Sequence, residues 1–537
     1  LAQLEDFQKK LWLKKKFIIE TNYCITLDRV PEELYAEVAA NEAQCEEWIK
    51  LFAIDEIQAD LHSPGFSRPL TVEFLKANNK LVLDTRFFDD SFKARLVASI
   101  ENFDEQCDGL LIHSENFQAL NLLQERYREQ VKCVYIDPPY NTNATPILYK
   151  NEYKSASWLS LLENRLSLAR NIVLPNTGFS VVAIDDHELV NLCNLLEQVF
   201  PTSELHKVIV NHYPGSGTGR SNVTRTHEYA LFVTPRNADL LRGEAKESGW
   251  RERGFCRSGT GDNNYRTGRP NSFYAVLVDE SKCEIVGFEP PPAKDERSYP
   301  TGRTDEGFLR VYPLGSDGSE RCWTLSYESA SDYWQKGLLF CSSNMIIKRR
   351  YHDEASRNLL PSVWLDKKYS AVSHGTNLLT SLFGNSGLFS YPKSLYTVES
   401  AIESGTFRDE SVQIMDYFAG SGTTGHAVIN LNRKNGTTHQ YTLVEMGDYF
   451  SEVTKPRIAK VIYSKDWKDG KPTARHTGVS HCFKYIRLES YEDTLNNLRL
   501  DHNPQRKKAV AANPALKEDY MLRYLLDVET RGSQSLL

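Results

Sequence analysis

From Cys107 to Phe200 short apolar runs alternate with longer amphipathic ones, and that rhythm restricts the fold more than any other feature of the chain. "GLLIHS" reads as a strand, "ENFQALNLLQERYREQ" as a helix and "VKCVYI" as a buried strand. "SWLSLLENRLSLARNIVL", "FSVVAID" and "DHELVNLCNLLEQVF" continue as helix, strand and helix. Strands alternating with helices of this length build βαβ units and a parallel sheet. From about 236 to 370 the rhythm is lost among Gly, Ser, Arg and aromatic residues. After Gly375 it returns, with "VQIMDYFA" as strand, "TTGHAVINLNRK" as helix and "HQYTLVEM" as strand. The expected architecture is α/β, a mostly parallel sheet split by a large insertion. Residues 1–100 read as largely helical, from the apolar spacing in "KKLWLKKKF" and "PEELYAEVAANEAQCEEWIKLF".

With 537 residues the chain has room for about three domains. A hydrophobic content of 40% and an aromatic content of 11% are those of a folded soluble protein. No apolar run reaches membrane-spanning length and no basic-then-apolar leader is present, so a cytosolic protein with no membrane partner is expected. The ten cysteines contain no C-x-x-C pair and no Cys/His cluster of zinc-finger spacing; free thiols and no metal are expected. A net charge of −7 argues against a nucleic-acid partner only on average, because binding is decided by local patches. Residues 251–270 hold five arginines against Glu252 and Asp262, and Lys348-Arg349-Arg350 lies in the same middle third.

The strand "VKCVYI" runs into Asp137-Pro138-Pro139-Tyr140. Prolines fix φ and remove backbone donors, so this tetrapeptide neither extends the strand nor begins an ordinary helical turn. It is a stiff loop at the carboxyl end of a strand, where open α/β sheets bind their ligands. Downstream, Gly420, Gly422 and Gly425 give G-x-G-x-x-G between an expected strand and an expected helix, and Glu445 ends the next strand, 20 residues past Gly425. Such a turn lets a ligand approach the backbone, and the acid can accept two ribose hydroxyls. His426 stands where a Walker loop has lysine. The glycine site therefore suits an adenosine-containing cofactor, either a dinucleotide or S-adenosylmethionine.

The two cofactors make different demands. A nicotinamide enzyme needs a helix N-terminus for its pyrophosphate and has no use for the proline loop. Methyl transfer to an exocyclic amine does. The amine of adenine is a poor nucleophile because its lone pair is delocalised into the ring. Acceptors for its N–H hydrogens, here the Asp137 carboxylate and the Pro138 carbonyl, make the nitrogen more sp³-like. Tyr140 supplies a flat face for a base taken out of the helix.

"YIDPPYNT", "SWLSLLENRL", "VVAIDDHE", "THEYALFV", "RPNSFYAV", "PSVW", "LFSYPKSL" and "DYFAGSGTT" together resemble the β-class amino-methyltransferases of DNA, above all the modification subunits of type III restriction-modification systems. The resemblance covers about residues 107 to 465. It implies a Rossmann-like S-adenosylmethionine-dependent fold of permuted motif order: a catalytic half at 101–235, a target-recognition insertion at 236–370 and a cofactor-binding half at 371–465. Residues 1–100 and 466–537 are extra regions. Asp137, Pro138, Pro139 and Tyr140 would form the catalytic loop. Asp416, Phe418, Ala419, Gly420, Ser421 and Gly422 would line the cofactor pocket, with Glu445 on the ribose and Phe389, Pro392 and Lys393 flanking the methionine end. Glu115, where many relatives have Gly-Asp-Asn, would accept from the cofactor adenine. Arg257, Arg266 and Arg269 would reach DNA phosphates or guanine edges.

The resemblance also implies double-stranded DNA as substrate, a helicase-nuclease restriction subunit or other defence-system partner, and a homodimer. Asp at the first loop position points to adenine N6. Cytosine N4 or RNA on the same scaffold, a mainly sequence-reading subunit of a larger defence complex, and a nicotinamide-dependent oxidoreductase are the alternatives. In Asp185-Asp186-His187-Glu188 one acid is expected to cap the following helix, with the rest as first-turn charges. His113, His212 and His227 read as structural, and Trp158, Leu161 and Leu162 as the face of a helix packed on the sheet.

Overall fold

The computed structural model describes residues 16–59, 64–142, 155–214, 224–246, 249–259, 261–293, 296, 298–353, 357–490 and 493. It divides into two compact units, one of 1–243 with 359–537 and one of 244–358. Most of "KKLWLKKKF" and of the C-terminal segment lies outside the described residues.

The larger unit is organised on one sheet. Its strands in chain order are β1 (Ile18–Thr26), β2 (Val82–Asp84), β3 (Gly109–His113), β4 (Val131–Ile136), β5 (Phe179–Ile184), β6 (Ser203–Val210), β7 (Glu228–Pro235), β8 (Val363–Trp364), β9 (Gln413–Asp416), β10 (Gln440–Glu445) and β11 (Cys482–Leu488). Across the sheet the order is β8-β6-β7-β5-β4-β9-β10-β3-β11-β1-β2. The central strands β5, β4, β9, β10 and β3 are parallel, and β7 runs antiparallel between β5 and β6. The central strands β4 and β5 are buried on both faces, which is why they read as mostly apolar runs rather than as alternating ones. This is a Rossmann-like α/β sheet in which sequence-distant halves meet: β4, from the first, pairs directly with β9, from the second, with Met415 opposite Val134.

The N-terminal region does more than supply helices. β1 and β2 extend the same sheet, with β1 antiparallel to β11, and β11 in turn is parallel to β3. The apolar spacing in "PEELYAEVAANEAQCEEWIKLF" does give helices, Tyr35–Ala40 and Glu42–Phe52. Asn41 divides them because its side chain accepts from the Gln44 amide and caps the second.

The unit of 244–358 has its own core, built on Phe255, Tyr274, Val276, Val278, Trp323 and Leu339. Two three-stranded antiparallel sheets cover it.

Candidate active site

Because β4 and β9 are hydrogen-bonded parallel neighbours, their carboxyl ends open side by side, and each continues into one of the two loops singled out by the sequence. After β9 the chain turns through Tyr417–Gly422 and enters the helix Thr423–Asn435. Gly420 (φ +51°) and Gly422 (φ +82°) take left-handed backbone that glycine adopts without strain. Gly425 is needed for a different reason. A Cβ there would lie 2.6 Å from Ile458 Cδ1 and 2.9 Å from Leu443 Cδ1, so its absence lets the helix close onto the sheet.

Glu445, at the end of β10, fixes this turn. Its Oε2 accepts from the Gly420 amide at 2.8 Å, and its Oε1 accepts from the Met446 and Gly447 amides, each at 2.8 Å. Asp416 is buried and accepts from the Phe418 amide (2.9 Å) and the Thr424 hydroxyl (2.6 Å). Burial raises its carboxyl to about 7, against those two hydrogen bonds and with help from the charges of Asp137 and Glu445. Beneath the turn lies Arg457, fully buried, donating to the Ser421 and Thr423 hydroxyls and to His426 Nδ1. Burial lowers its guanidinium to about 9 and holds His426 neutral.

After β4 the proline loop is tied at several points. Trp158, on the helix Ser155–Arg170, donates its indole N–H to the Pro139 carbonyl at 2.7 Å. Asn141, in left-handed backbone at φ +58°, donates to Glu188 Oε1, which also accepts from the Ser155 hydroxyl. The Pro138 carbonyl accepts from no described residue.

Beside the loop lies a buried charge cluster. The Lys393 ammonium donates to Glu228 Oε2 and to the Tyr140 hydroxyl, lies 3.3 Å from Asp137 Oδ1 and sits 4.6 Å above the Tyr140 ring. The Tyr140 hydroxyl also donates to Glu228 at 3.1 Å, and His212 Nδ1 stands 3.4 Å from the other Glu228 oxygen. Burial would raise Glu228, but Lys393 and His212 hold it far below the usual carboxylate range. Burial lifts Asp137, the Lys393 charge pulls it back, and Glu228 pushes it up again, leaving it raised.

Residues 131–456 match the family model described as DNA methylase, of the N6/N4 methyltransferase type. The chain belongs to this DNA methylase family. It is 31% identical over 368 residues to the type II methyltransferase M.KpnI of Klebsiella pneumoniae, a match that covers 64% of the chain and 81% of that protein. It is 24% identical over 425 residues to the EcoPI Mod subunit of a type III restriction-modification enzyme from Escherichia phage P1, covering 67% and 63%. The chain thus spans less than two thirds of that Mod subunit's length, and 53% of the StyLTI Mod subunit of Salmonella typhimurium.

In this methylase the structure brings Asp137 and Tyr140 to one strand end and Asp416, Phe418, Gly420, Gly422 and Glu445 to its neighbour. Ala419 and Ser421 are buried within the turn, and the Ser421 hydroxyl faces Arg457. Phe389 packs edge-on against Tyr449 (5.0 Å between centroids), and its ring comes within 3.1 Å of the Cβ position at Gly420. Three of the expected site residues have partners within the protein. The Lys393 ammonium contacts the catalytic loop. Glu115 is the N-cap of the helix Asn116–Tyr127 and pairs with Arg165, so its carboxylate is engaged by the protein. Arg266 is buried, bound to Glu320 and to the Ala293 and Glu296 carbonyls, and packed on Phe273 and Tyr299; it builds its unit's core instead of presenting a free guanidinium. Arg257 is half-buried, and Arg269 is exposed.

Sequence reasoning missed others. Glu188 stands at the N-cap position of the helix Leu189–Val199 but makes no side-chain cap; it holds the proline loop instead. His212 and Glu228 are remote in sequence from the loop, although "THEYALFV" contains Glu228. Asn116 donates to the Tyr417 carbonyl at 2.9 Å and so ties the end of β3 to the end of β9. His113 and His227 behave as structural residues, stacked on Phe450 and hydrogen-bonded to the Tyr229 hydroxyl.

Proposed function

We propose that this methylase transfers a methyl group from S-adenosylmethionine to the exocyclic N6 amine of an adenine extruded from duplex DNA, as the modification component of a restriction-modification system. The observation that carries the reading is the adjacency of the proline loop and the glycine turn at the carboxyl ends of the paired strands β4 and β9.

The residues fit the cofactor. The positive-φ glycines bare the backbone, and Glu445 Oε2, which takes a single amide, keeps acceptor capacity for ribose hydroxyls. S-adenosylmethionine supplies an electrophilic methyl carbon. Asp137 and the Pro138 carbonyl accept the amine hydrogens and localise the nitrogen lone pair; as the N–CH3 bond forms and the S–CH3 bond breaks to leave S-adenosylhomocysteine, the Asp137 carboxylate takes up the released proton. Tyr140, its hydroxyl pinned by Glu228 and Lys393, gives the base a fixed plane on which to stack. Trp158 and Glu188 hold the loop so that its acceptors are in place before the base arrives.

DNA as the substrate is supported by the unit of 244–358. Its strand Gly249–Gly254 pairs with Ile347–Asp353, placing Arg253 directly opposite Arg349. Like charges facing across a ladder repel each other, and neither arginine has an acidic partner among the described residues. The neighbouring positions are compensated: Glu252 pairs with Arg350 at 3.0 Å and Lys348 at 3.6 Å. A phosphodiester backbone neutralises the first pair. Similarity to Mod subunits suggests a restriction subunit as partner. S-adenosylhomocysteine is expected to raise the melting temperature and NAD to leave it unchanged; stabilisation by NAD alone would restore the oxidoreductase alternative.

A further inference from the structure

The Lys393 ammonium is 7% exposed and is not spent on the cofactor turn; it lies between two carboxylates from different elements, Asp137 after β4 and Glu228 on β7. We propose that Lys393 is a positioning residue for Asp137: anchored by Glu228, its charge keeps the Asp137 carboxylate in the form that accepts the adenine amine proton. The inference rests on the methyl-transfer reading above and deepens it.

The argument is one of charge balance. Glu228 is buried and Asp137 half-buried beside it, and two carboxylates this close cannot both ionise at little cost unless a cation lies between them. Among the described residues, the charged and titratable groups that face Asp137 or its partners are Lys393, Glu228, Tyr140, Tyr135 on β4, His212 against Glu228, Tyr213 beside Lys393 and Glu228, and Asp416 at the end of β9. Lys393 is the group among them that lowers Asp137 most, while burial and Glu228 raise it. Glu228 has a second use, because it fixes the ammonium at the loop instead of leaving it to drift toward solvent. A protonated Asp137 would present a donor, or a filled site, where the amine needs an acceptor.

The test compares the parent with Lys393→Met, Glu228→Gln and the double variant Lys393→Met/Glu228→Gln, which preserves the net charge of the cluster and guards against simple misfolding. Methyl transfer from labelled S-adenosylmethionine to duplex DNA is followed from pH 6 to 9.5. The expected result for Lys393→Met is an acidic limb of kcat moved upward by about one pH unit or more, recovery of most of the rate at high pH, and an unchanged KM for S-adenosylmethionine. The double variant is expected to move the limb back down. A uniform loss at every pH with an unmoved limb would overturn the proposal, and a raised KM for S-adenosylmethionine with an unmoved limb would overturn it and assign Lys393 to the cofactor.

A second readout does not depend on activity. In Lys393→Met the charge that pulls the Asp137 carboxyl down is gone, so the folded chain should hold that proton to higher pH and its melting temperature should fall with rising pH more steeply than that of the parent. Adding Asp137→Asn should abolish the difference. If the parent methylates nothing, the functional reading fails while this slope still decides the role of Lys393; equal slopes in all variants overturn it.

Discussion

The Gly420 amide donates to Glu445 Oε2 at 2.8 Å, joining the first glycine of the turn after β9 to the acid that ends β10. Two adjacent strands are thereby locked into one cofactor cradle. Glu445→Ala strands this amide and those of Met446 and Gly447. Hydrogen bonds to a charged group contribute about 1.5–3 kcal/mol, so binding of S-adenosylhomocysteine should weaken at least about tenfold. Isothermal titration calorimetry checks this, and an unchanged Kd would exclude Glu445 from the cradle.

Gly425→Ala should destabilise the fold through crowding. The new methyl meets Ile458 Cδ1 at 2.6 Å and Leu443 Cδ1 at 2.9 Å. Overpacking of a filled core costs about 1–3 kcal/mol, to be read as a lowered urea midpoint with an unchanged slope.

Asp416 gives stability a pH signature. Its folded carboxyl is raised to about 7, against roughly 3.9 in an unfolded chain. Between those values the folded state holds a proton that the unfolded state has released. Stability therefore falls as pH rises through that window, by on the order of 1.4 kcal/mol per pH unit at most. Asp416→Asn should remove this contribution, flattening the melting temperature between pH 5 and 7 relative to the parent.

Much of this arrangement was legible in the sequence. β4, β9 and β10 are mostly apolar runs closed by an acid, Asp137 just after β4, Asp416 at the end of β9 and Glu445 at the end of β10, and the loops after β4 and β9 carry the prolines and glycines that such turns need. What stayed hidden were residues whose roles depend on tertiary neighbours. Glu228 begins β7 and His212 lies in the segment after β6; only the pairing of β6 with β7 and the return of Lys393 from far along the chain make them a cluster. Arg266 misled because an arginine in a basic stretch looks exposed, whereas Phe273, Tyr299 and Glu320 enclose it. The strands β1 and β2 escaped notice because β2 has only three residues and β1 is buried along its second half without alternation, so neither carries a clear period-two signal.

The facing pair Arg253 and Arg349 predicts a salt signature. Each phosphate contact contributes roughly 0.9 to the slope of log K against log salt. Replacing both arginines with alanine should weaken duplex binding and reduce that slope by about two, as measured by fluorescence anisotropy at several salt concentrations. Arg266→Ala should instead lower the melting temperature of its unit.

The most direct test of the account is transfer of labelled methyl from S-adenosylmethionine to mixed-sequence duplex DNA, followed by nucleoside analysis, with Asp137→Ala beside the parent. The account predicts label in N6-methyladenine and a loss of about 10²–10⁴-fold in the variant, with cofactor binding retained. Label in N4-methylcytosine would contradict the base assignment, and full activity in Asp137→Ala would contradict the mechanism.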